Sequence, residues 1–234
     1  MTKMLASVTG VDEARLALEY GADFIDLKNP AEGALGGLPL SVISQVVAAL
    51  AGVRPVSATI GDLPMQPELI AAAIAGTAET GVDIIKVGLF GRSGHAECID
   101  AIAPLAARGV RVIAVLFADG KPDFTLLPML ASAGFHGVML DTASKSGMRL
   151  VDFLGDQVLR DFVQSSRALG LLTGLAGSLS AVDVAPLAAI GPDYLGFRGA
   201  LCENSDRQTS LDATRLQRVA ELLYLHNINT IKAA

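Results

Sequence analysis

Short apolar runs alternate along the chain with longer stretches in which apolar and polar residues recur at helical spacing. The runs are rich in β-branched residues and carry few polar positions, which is typical of strands in a parallel sheet covered on both faces. They predict eight strands: Met4–Val8, Phe24–Lys28, Pro55–Ile60, Ile84–Leu89, Arg111–Phe117, Gly137–Thr142, Leu172–Gly177 and Tyr194–Gly199.

The stretches between the runs predict helices near 11–20, 41–51, 67–80, 95–108, 125–133, 152–168, 180–190 and 211–225. Several helices are followed by a glycine, as at Gly21, Gly81, Gly134 and Gly191, where a helix C-terminus favours positive φ. The repeated unit predicts an α/β fold, a single-domain (β/α)₈ TIM barrel over residues 1–234 with a short C-terminal tail from about 226. An open doubly wound sheet allows the same alternation, but eight units favour the closed barrel.

Composition narrows the classes of function. The 234 residues are 51% hydrophobic and carry a net charge of −6, which argues against a broad nucleic-acid-binding face. The N-terminus does not resemble a signal peptide, and no apolar run approaches the roughly 18 residues of a membrane span, so we expect a cytoplasmic protein that contacts no membrane. Cys98 and Cys202 have no metal-ligand spacing. Formation of a homo-oligomer is left open.

Charged residues interrupt the apolar strands near their C-terminal ends, where TIM barrels carry their catalytic residues. Asp26 and Lys28 share one face of the second strand, since side chains alternate, and the apolar residues between them take the other face. Lys86, Asp141 and Arg198 occupy comparable positions on strands four, six and eight. We expect these side chains to lie in or near one layer inside the barrel, with Asp26 one layer deeper.

Such a layer suits amine catalysis. A lysine must lose its proton before it attacks a carbonyl, and burial and a second cation both favour the neutral form. A shift of about three pKa units, roughly 4 kcal/mol, is required. Lys28 beside Lys86 meets both conditions, and Asp26 or Asp141 can balance the remaining charge. The alternative is a structural ion pair between Lys28 and Asp26.

The loops after strands seven and eight predict a phosphate site, because barrels often bind phosphate there through backbone N–H groups. Gly177, Ser178, Arg198, Gly199 and Ala200 are the candidate ligands. Two other segments are less specific. The glycine-rich segment 29–37 is either a mobile cover or an ordinary surface loop, and Arg92, after strand four, is a candidate for another anion contact.

Six segments together resemble (5-formylfuran-3-yl)methyl phosphate synthase, in the right order and over nearly the whole chain. They are DLKNPAEGALG at 26–36, SATIGDLP at 57–64, IKVGLFG at 85–91, MLDTASKSG at 139–147, LAGSL at 175–179 and FRGALC at 197–202. The resemblance implies a lyase-type condensation of two glyceraldehyde 3-phosphate molecules, with loss of phosphate and water, to a furan aldehyde phosphate that serves methanofuran biosynthesis. The tail from about His226 lies outside it.

The resemblance also implies roles for single residues. The Schiff-base lysine of the family falls on Lys28 and its proton-accepting lysine on Lys86, while Asp26, Asp141 and Lys145 match further charged residues of its motifs. The chain departs from the family twice. It lacks the lysine of AGSIK, having Ser180 there, and it reads CENSDR at 202–207 in place of CKGGDR. Both departures lie by the predicted phosphate loops.

In the mechanism that we expect, Lys28 forms an iminium ion with one triose, a base removes the adjacent proton, and the resulting enamine attacks a second triose. The iminium ion is the electron sink, so neither a metal nor an organic cofactor is expected. Two other classes remain open: a class I aldolase or isomerase acting on another phosphosugar, and a non-catalytic barrel that binds phosphosugars.

Overall fold

Eight parallel strands close into a barrel in the order in which they occur in the sequence. The structure, a computed structural model, describes residues 1–144 and 147–233. The strands are β1 Lys3–Val8, β2 Phe24–Leu27, β3 Val56–Thr59, β4 Ile84–Gly88, β5 Val112–Phe117, β6 Gly137–Asp141, β7 Leu172–Leu175 and β8 Tyr194–Phe197. All eight predicted strands are confirmed, each within about two residues at either end, and the open sheet is excluded.

Helices cover the outside of the barrel. They are α1 Val11–Glu19, α2 Leu40–Leu50, α3 Pro67–Ala78, α4 His95–Ala107, α5 Leu127–Ser132, α6 Leu150–Phe153, α7 Asp156–Ala168, α8 Val184–Ile190 and α9 Ala213–Ala233. The single helix predicted over 152–168 is two helices, because Leu154 and Gly155 adopt extended backbone angles between α6 and α7.

The last helix extends beyond the expected bounds. α9 continues through the segment from about 226 that we expected to form a tail. Asn227 in this part of α9 accepts from the backbone N–H of Thr2 at 3.1 Å and donates to its carbonyl at 3.0 Å. The helix is therefore tied to the start of β1. In the described part of the chain, no helix has both the length and the apolar character to cross a membrane.

Two separate apolar cores follow from the alternation of side chains along the strands. Ile25 and Leu27 of β2 belong to the larger core, between the barrel and its helices. Phe24, from the other face of β2, belongs to a smaller core inside the barrel. The predicted assignment of the two faces of this strand is therefore correct.

Tyr194 fills the middle of the barrel interior. Its ring is 1% exposed and lies 5.4 Å from that of Phe24, centroid to centroid. Gly174 on the neighbouring β7 is in register with Tyr194 and has no side chain to oppose it. A Cβ atom built at Gly174 would collide with the tyrosine ring and its hydroxyl, at 2.5 Å from the latter. The glycine therefore provides the space that the ring occupies.

We expect Gly174→Ala to lower the free energy of unfolding by about 1–3 kcal/mol, because the added methyl group overpacks a rigid interior. Urea denaturation measures the change. Gly155→Ala is the matched control, since a Cβ there meets nothing within 4 Å and its φ of −68° suits alanine. Equal stability of the two variants would contradict this account of the barrel interior.

Candidate active site

The even-numbered strands β2, β4 and β6 bring four charged side chains to one cavity of about 360 Å³ at the C-terminal end of the barrel. Asp26 lies within β2 and Lys28 directly follows it, Lys86 lies within β4, and Asp141 ends β6. All four are at most 8% exposed. The structure thus places these sequence-predicted residues together, with both lysines beside carboxylates.

Asp26 and Lys86 form the deeper pair. The Lys86 ammonium lies 2.8 Å from Asp26 Oδ1. Ser57 donates to the same oxygen at 2.6 Å, and Ser7 donates to Oδ2 at 3.0 Å. These two serines lie on the flanking strands at the positions in register with Asp26. The carboxylate is therefore fixed from three sides.

Burial and charge act in opposite directions on this pair. Burial alone would raise the pKa of Asp26, but the charges of Lys86 and Lys28 and the bond from Ser57 outweigh it and lower that pKa. Burial lowers the pKa of Lys86, and the charge of Lys28 adds to the effect while Asp26 opposes it. Burial and a second cation, the two effects that we expected at Lys28, thus act on Lys86.

Lys28 and Asp141 form the second, looser pair. Lys28 Nζ lies 3.7 Å from Asp141 Oδ2, and the backbone N–H of Thr142 donates to Oδ1 at 2.7 Å. Lys28 is 8% exposed and Lys86 only 2%. The amine that molecules entering the cavity meet first is therefore that of Lys28.

The ring of Tyr194 lies directly beneath the buried lysines and aspartates and forms the floor of this charged layer. The Lys86 ammonium lies 5.9 Å from the centroid of its ring, within the range of a cation–π contact. The tyrosine hydroxyl donates to Met139 Sδ at 3.5 Å, and burial raises its pKa well above the ordinary value. Tyr194 therefore stays neutral and separates the charged layer from the apolar interior below.

Lys145 lies outside the described residues, so its predicted place among the charged residues of the site stays a prediction. The segment just before it is anchored to the loop after β5. Asp119 accepts from the backbone N–H groups of Ala143 and Ser144, at 2.9 and 2.6 Å.

The predicted phosphate loops line the same cavity. Gly177, Ser178, Gly199 and Ala200 all contribute to its wall. Within the described residues, their backbone N–H groups donate to no protein acceptor. Ser178 has a φ of +49°, next to Gly177 at +111°. Unpaired N–H groups facing a cavity, two of them on left-handed backbone, are suited to hold an anion.

The structure corrects the predicted placement of Arg198. Although the residue borders the cavity, its guanidinium does not join the lysines and aspartates, because it forms an ion pair with Glu13 of α1 at 2.6 Å. Its remaining N–H groups donate to the carbonyls of Ser7, Arg207 and Thr209. All five N–H groups are thus engaged by the protein, and Arg198 ties the loop after β8 to α1.

Sequence reasoning missed Arg207 as a site residue. Arg207 is partly buried in the cavity wall and donates to the carbonyl of Gly33 at 2.8 Å. Burial lowers the pKa of its guanidinium, and the charge of Asp141 opposes that shift. Among the described residues no carboxylate pairs with it. The available signal was the Asp-Arg end of the family motif, which the chain retains at 206–207.

The glycine-rich segment after β2 is held against the barrel mouth. Asp62 accepts from the backbone N–H groups of Ala34 at 2.8 Å and Leu35 at 2.7 Å. Leu35 is 2% exposed and lines the cavity. The hydrogen bond from Arg207 to the carbonyl of Gly33 joins this segment to the loop after β8. The segment therefore covers part of the cavity.

Metal ligands do not converge at this site. In the parts of the chain that the structure describes, no group of three or more His, Cys, Asp and Glu side chains lies together in a way that would hold a metal ion. The charged residues that border the cavity, among those described, are Asp26, Lys28, Lys86, Asp141, Arg198, Asp206 and Arg207.

Comparisons with known proteins identify relatives along nearly the whole chain. A family model described as 4-HFC-P synthase matches residues 4–220. A relative from Methylorubrum extorquens is 45% identical over 222 residues, which cover 94% of this chain and 91% of that protein. The (5-formylfuran-3-yl)methyl phosphate synthase of Methanopyrus kandleri is 39% identical over 234 residues, covering 94% of this chain and 98% of its own.

Solved structures support the fold alone. Phosphoribosyl anthranilate isomerase from Thermus thermophilus superposes with a TM-score of 0.67 at 18% identity, over 96% of this chain and 99% of that one.

We expect Asp26→Asn to lower the free energy of unfolding by about 3–5 kcal/mol at neutral pH, because it leaves the Lys86 ammonium buried without its carboxylate. The pKa of Asp26 is lowered in the fold, so the stability from its ionised form is present above the ordinary value of 3.8 and is lost as the pH falls through the lowered pKa. The gap between parent and variant should therefore narrow in acid, and urea denaturation across the acidic range measures it.

Asp156→Asn is the control, since its carboxylate is 63% exposed in a surface pair with Arg160 and should contribute about 0–1 kcal/mol. If Asp26→Asn fails to fold, Ser57→Ala gives a milder test by removing the 2.6 Å bond to Asp26. A gap that stays constant with pH would show that Asp26 is not the ionised partner of Lys86.

Proposed function

The chain belongs to the 4-HFC-P synthase family, and from this premise we propose that it condenses two molecules of glyceraldehyde 3-phosphate to (5-formylfuran-3-yl)methyl phosphate through a Schiff base on Lys28. The observation that carries the proposal is the arrangement of two buried lysines in one cavity, each beside a carboxylate. Lys86 lies 2.8 Å from Asp26 and Lys28 lies 3.7 Å from Asp141. This activity would make the chain a lyase acting in methanofuran biosynthesis.

The first step falls to Lys28 because it is the more accessible of the two amines. Its neutral nitrogen attacks the carbonyl carbon of one triose phosphate, and loss of water leaves an iminium ion. Asp141, 3.7 Å from that nitrogen, balances the cation that forms and can exchange protons with it through one water molecule. The iminium ion withdraws electrons and makes the adjacent C–H acidic.

Lys86 suits the role of the base. Burial lowers its pKa, so its neutral form is reached at a lower pH than that of an exposed lysine. Asp26, fixed by Ser7 and Ser57, takes up the positive charge when Lys86 becomes protonated. Proton removal converts the iminium ion into an enamine, whose carbon attacks the aldehyde of a second triose phosphate.

Elimination and ring closure complete the reaction without any oxidant. Two triose phosphates, each C₃H₇O₆P in the fully protonated form, give the furan product C₆H₇O₆P, one phosphoric acid and two waters. The phosphate retained by the product is best held by the N–H groups of Gly177, Ser178, Gly199 and Ala200. Arg207 supplies the charge that Arg198, engaged with Glu13, does not.

Incubation with glyceraldehyde 3-phosphate should produce the ultraviolet absorbance of a furan aldehyde, and borohydride should fix an adduct on the peptide that contains Lys28. Lys28→Met should abolish both. Lys86→Met should retain the adduct and slow furan formation by about 10²–10⁴-fold, the usual contribution of a general base. Peptide mass spectrometry and absorbance provide the two readouts.

Lys3→Met is the matched control, because Lys3 lies over Phe24 at the opposite end of the barrel and should leave both readouts unchanged. An adduct on Lys28 without the furan chromophore would assign the chain to the class I aldolases. Substrate binding without any adduct would refute the Schiff base and indicate a phosphosugar-binding barrel.

Arg207→Gln should raise the KM for glyceraldehyde 3-phosphate about tenfold or more, the value of a charge-assisted hydrogen bond of about 1.5–3 kcal/mol, with a smaller effect on kcat. Steady-state kinetics measure both constants. Arg218→Gln, on the exposed face of α9, is the control for loss of one positive charge. An unchanged KM would remove Arg207 from the phosphate site.

A further inference from the structure

A second cavity, of about 350 Å³, opens at the same end of the barrel. It lies where β4 and β5 end, beside the first residue of α4. Phe90 and Phe117 form its apolar side, and Arg92, His95 and Lys121 contribute its basic groups. Its volume is close to the 360 Å³ of the lysine-containing cavity, but none of the reactive groups assigned above lies in it.

The second cavity carries a net positive charge, since Arg92 and Lys121 outnumber Asp123. Among the described residues, neither Arg92 nor Lys121 is paired with a carboxylate. Asp123, which also borders the cavity, is occupied by Thr125, from which it accepts at 2.9 Å from the backbone N–H and at 2.6 Å from the hydroxyl. A dianion would therefore meet two cations that are not held in ion pairs, beside one carboxylate that is hydrogen-bonded to Thr125.

The two cavities share one apolar wall. Leu35 lines the first and Phe90 lines the second, and both would collide with a Cβ atom built at Gly88, Leu35 Cδ1 at 2.9 Å. Phe90 also stacks on Phe117 with ring centroids 4.5 Å apart. Leu35 and Phe90, one from each cavity, thus lie side by side over Gly88.

Among the described residues of the first cavity, the cations without a carboxylate partner suit one phosphate and not two. Lys28 and Lys86 are balanced by aspartates, and Arg198 is balanced by Glu13. Arg207 is left as the one cation of that cavity without a carboxylate partner among the described residues. Two triose phosphates carry two dianions, which repel each other, so the second phosphate requires cations of its own.

We propose that the second cavity binds the phosphate of the second triose phosphate, through Arg92 and Lys121. The carbon end of this molecule lies against Phe90 and reaches the enamine on Lys28 when that ring turns aside. Gly91, the next residue, has a φ of +72° and open space around it, so the chain can pivot there. This inference rests on the function proposed above.

Glycerol 3-phosphate is a phosphomonoester without a carbonyl group, so it cannot react with Lys28. Its binding therefore measures the number of phosphate sites independently of the reaction. Equilibrium dialysis should find two molecules bound per chain of the parent and one per chain of the double variant Arg92→Gln/Lys121→Gln. The control Arg15→Gln/Arg218→Gln removes two exposed positive charges elsewhere and should bind two. If the Arg92/Lys121 variant binds as many molecules as the control, the proposal is wrong.

Steady-state kinetics identify which phosphate compound the second cavity binds. The Arg92/Lys121 variant should require about tenfold more glyceraldehyde 3-phosphate for half-maximal furan formation, with the borohydride adduct on Lys28 unchanged. A variant that keeps the parent's saturation curve but loses inhibition by inorganic phosphate would assign the cavity to the released product and overturn its role for the second triose.

Failure of the proposed function has a different signature. A parent that forms neither adduct nor furan refutes the reaction, whereas the glycerol 3-phosphate count still decides whether the second cavity is a phosphomonoester site.

Discussion

The buried contact between Asp26 and Lys86 sets the conditions for the whole cavity. An ammonium that is 2% exposed inside a barrel is tolerated only because a carboxylate lies 2.8 Å away. The carboxylate in turn depends on Ser7 and Ser57, and these serines are correctly placed because neighbouring strands keep Asp26 in register with both of them. The barrel thus acts as a frame that fixes one buried ion pair beneath a second lysine, Lys28.

The sequence predicted this frame well because its signals are periodic. Eight apolar runs gave the strands, and the alternation of side chains placed Asp26, Lys28, Lys86 and Asp141 inside the barrel. The prediction from side-chain alternation failed at Arg198, where the chain leaves the strand. Arg198 follows β8 with φ −134° and ψ −71°, so the alternation of side chains along the strand no longer fixes its direction. Its guanidinium instead forms an ion pair with Glu13.

Irregular loops explain why the sequence did not predict Arg207 or the wall between the two cavities. Arg207 reaches the cavity from a loop whose path includes left-handed backbone at Asn204 and Ser205, and no periodic pattern encodes such a path. The wall between the two cavities is also non-local, since Leu35, Phe90 and Phe117 come from three separate loops or strand ends. Their proximity depends on how the loops lie over the barrel, which the spacing of residues along the chain does not show.

The floor provided by Tyr194 has a consequence for how the protein is made. A ribosome releases β1 first and β8 last, and a domain generally folds as a unit. Until Tyr194–Phe197 has left the ribosome, β1 lacks one of its two neighbours and the ring that supports Lys86 is absent. The charged layer therefore cannot be assembled stepwise with the strands that carry it. Its completion coincides with closure of the barrel, so a nascent chain cannot complete the charged layer before the whole enclosure exists.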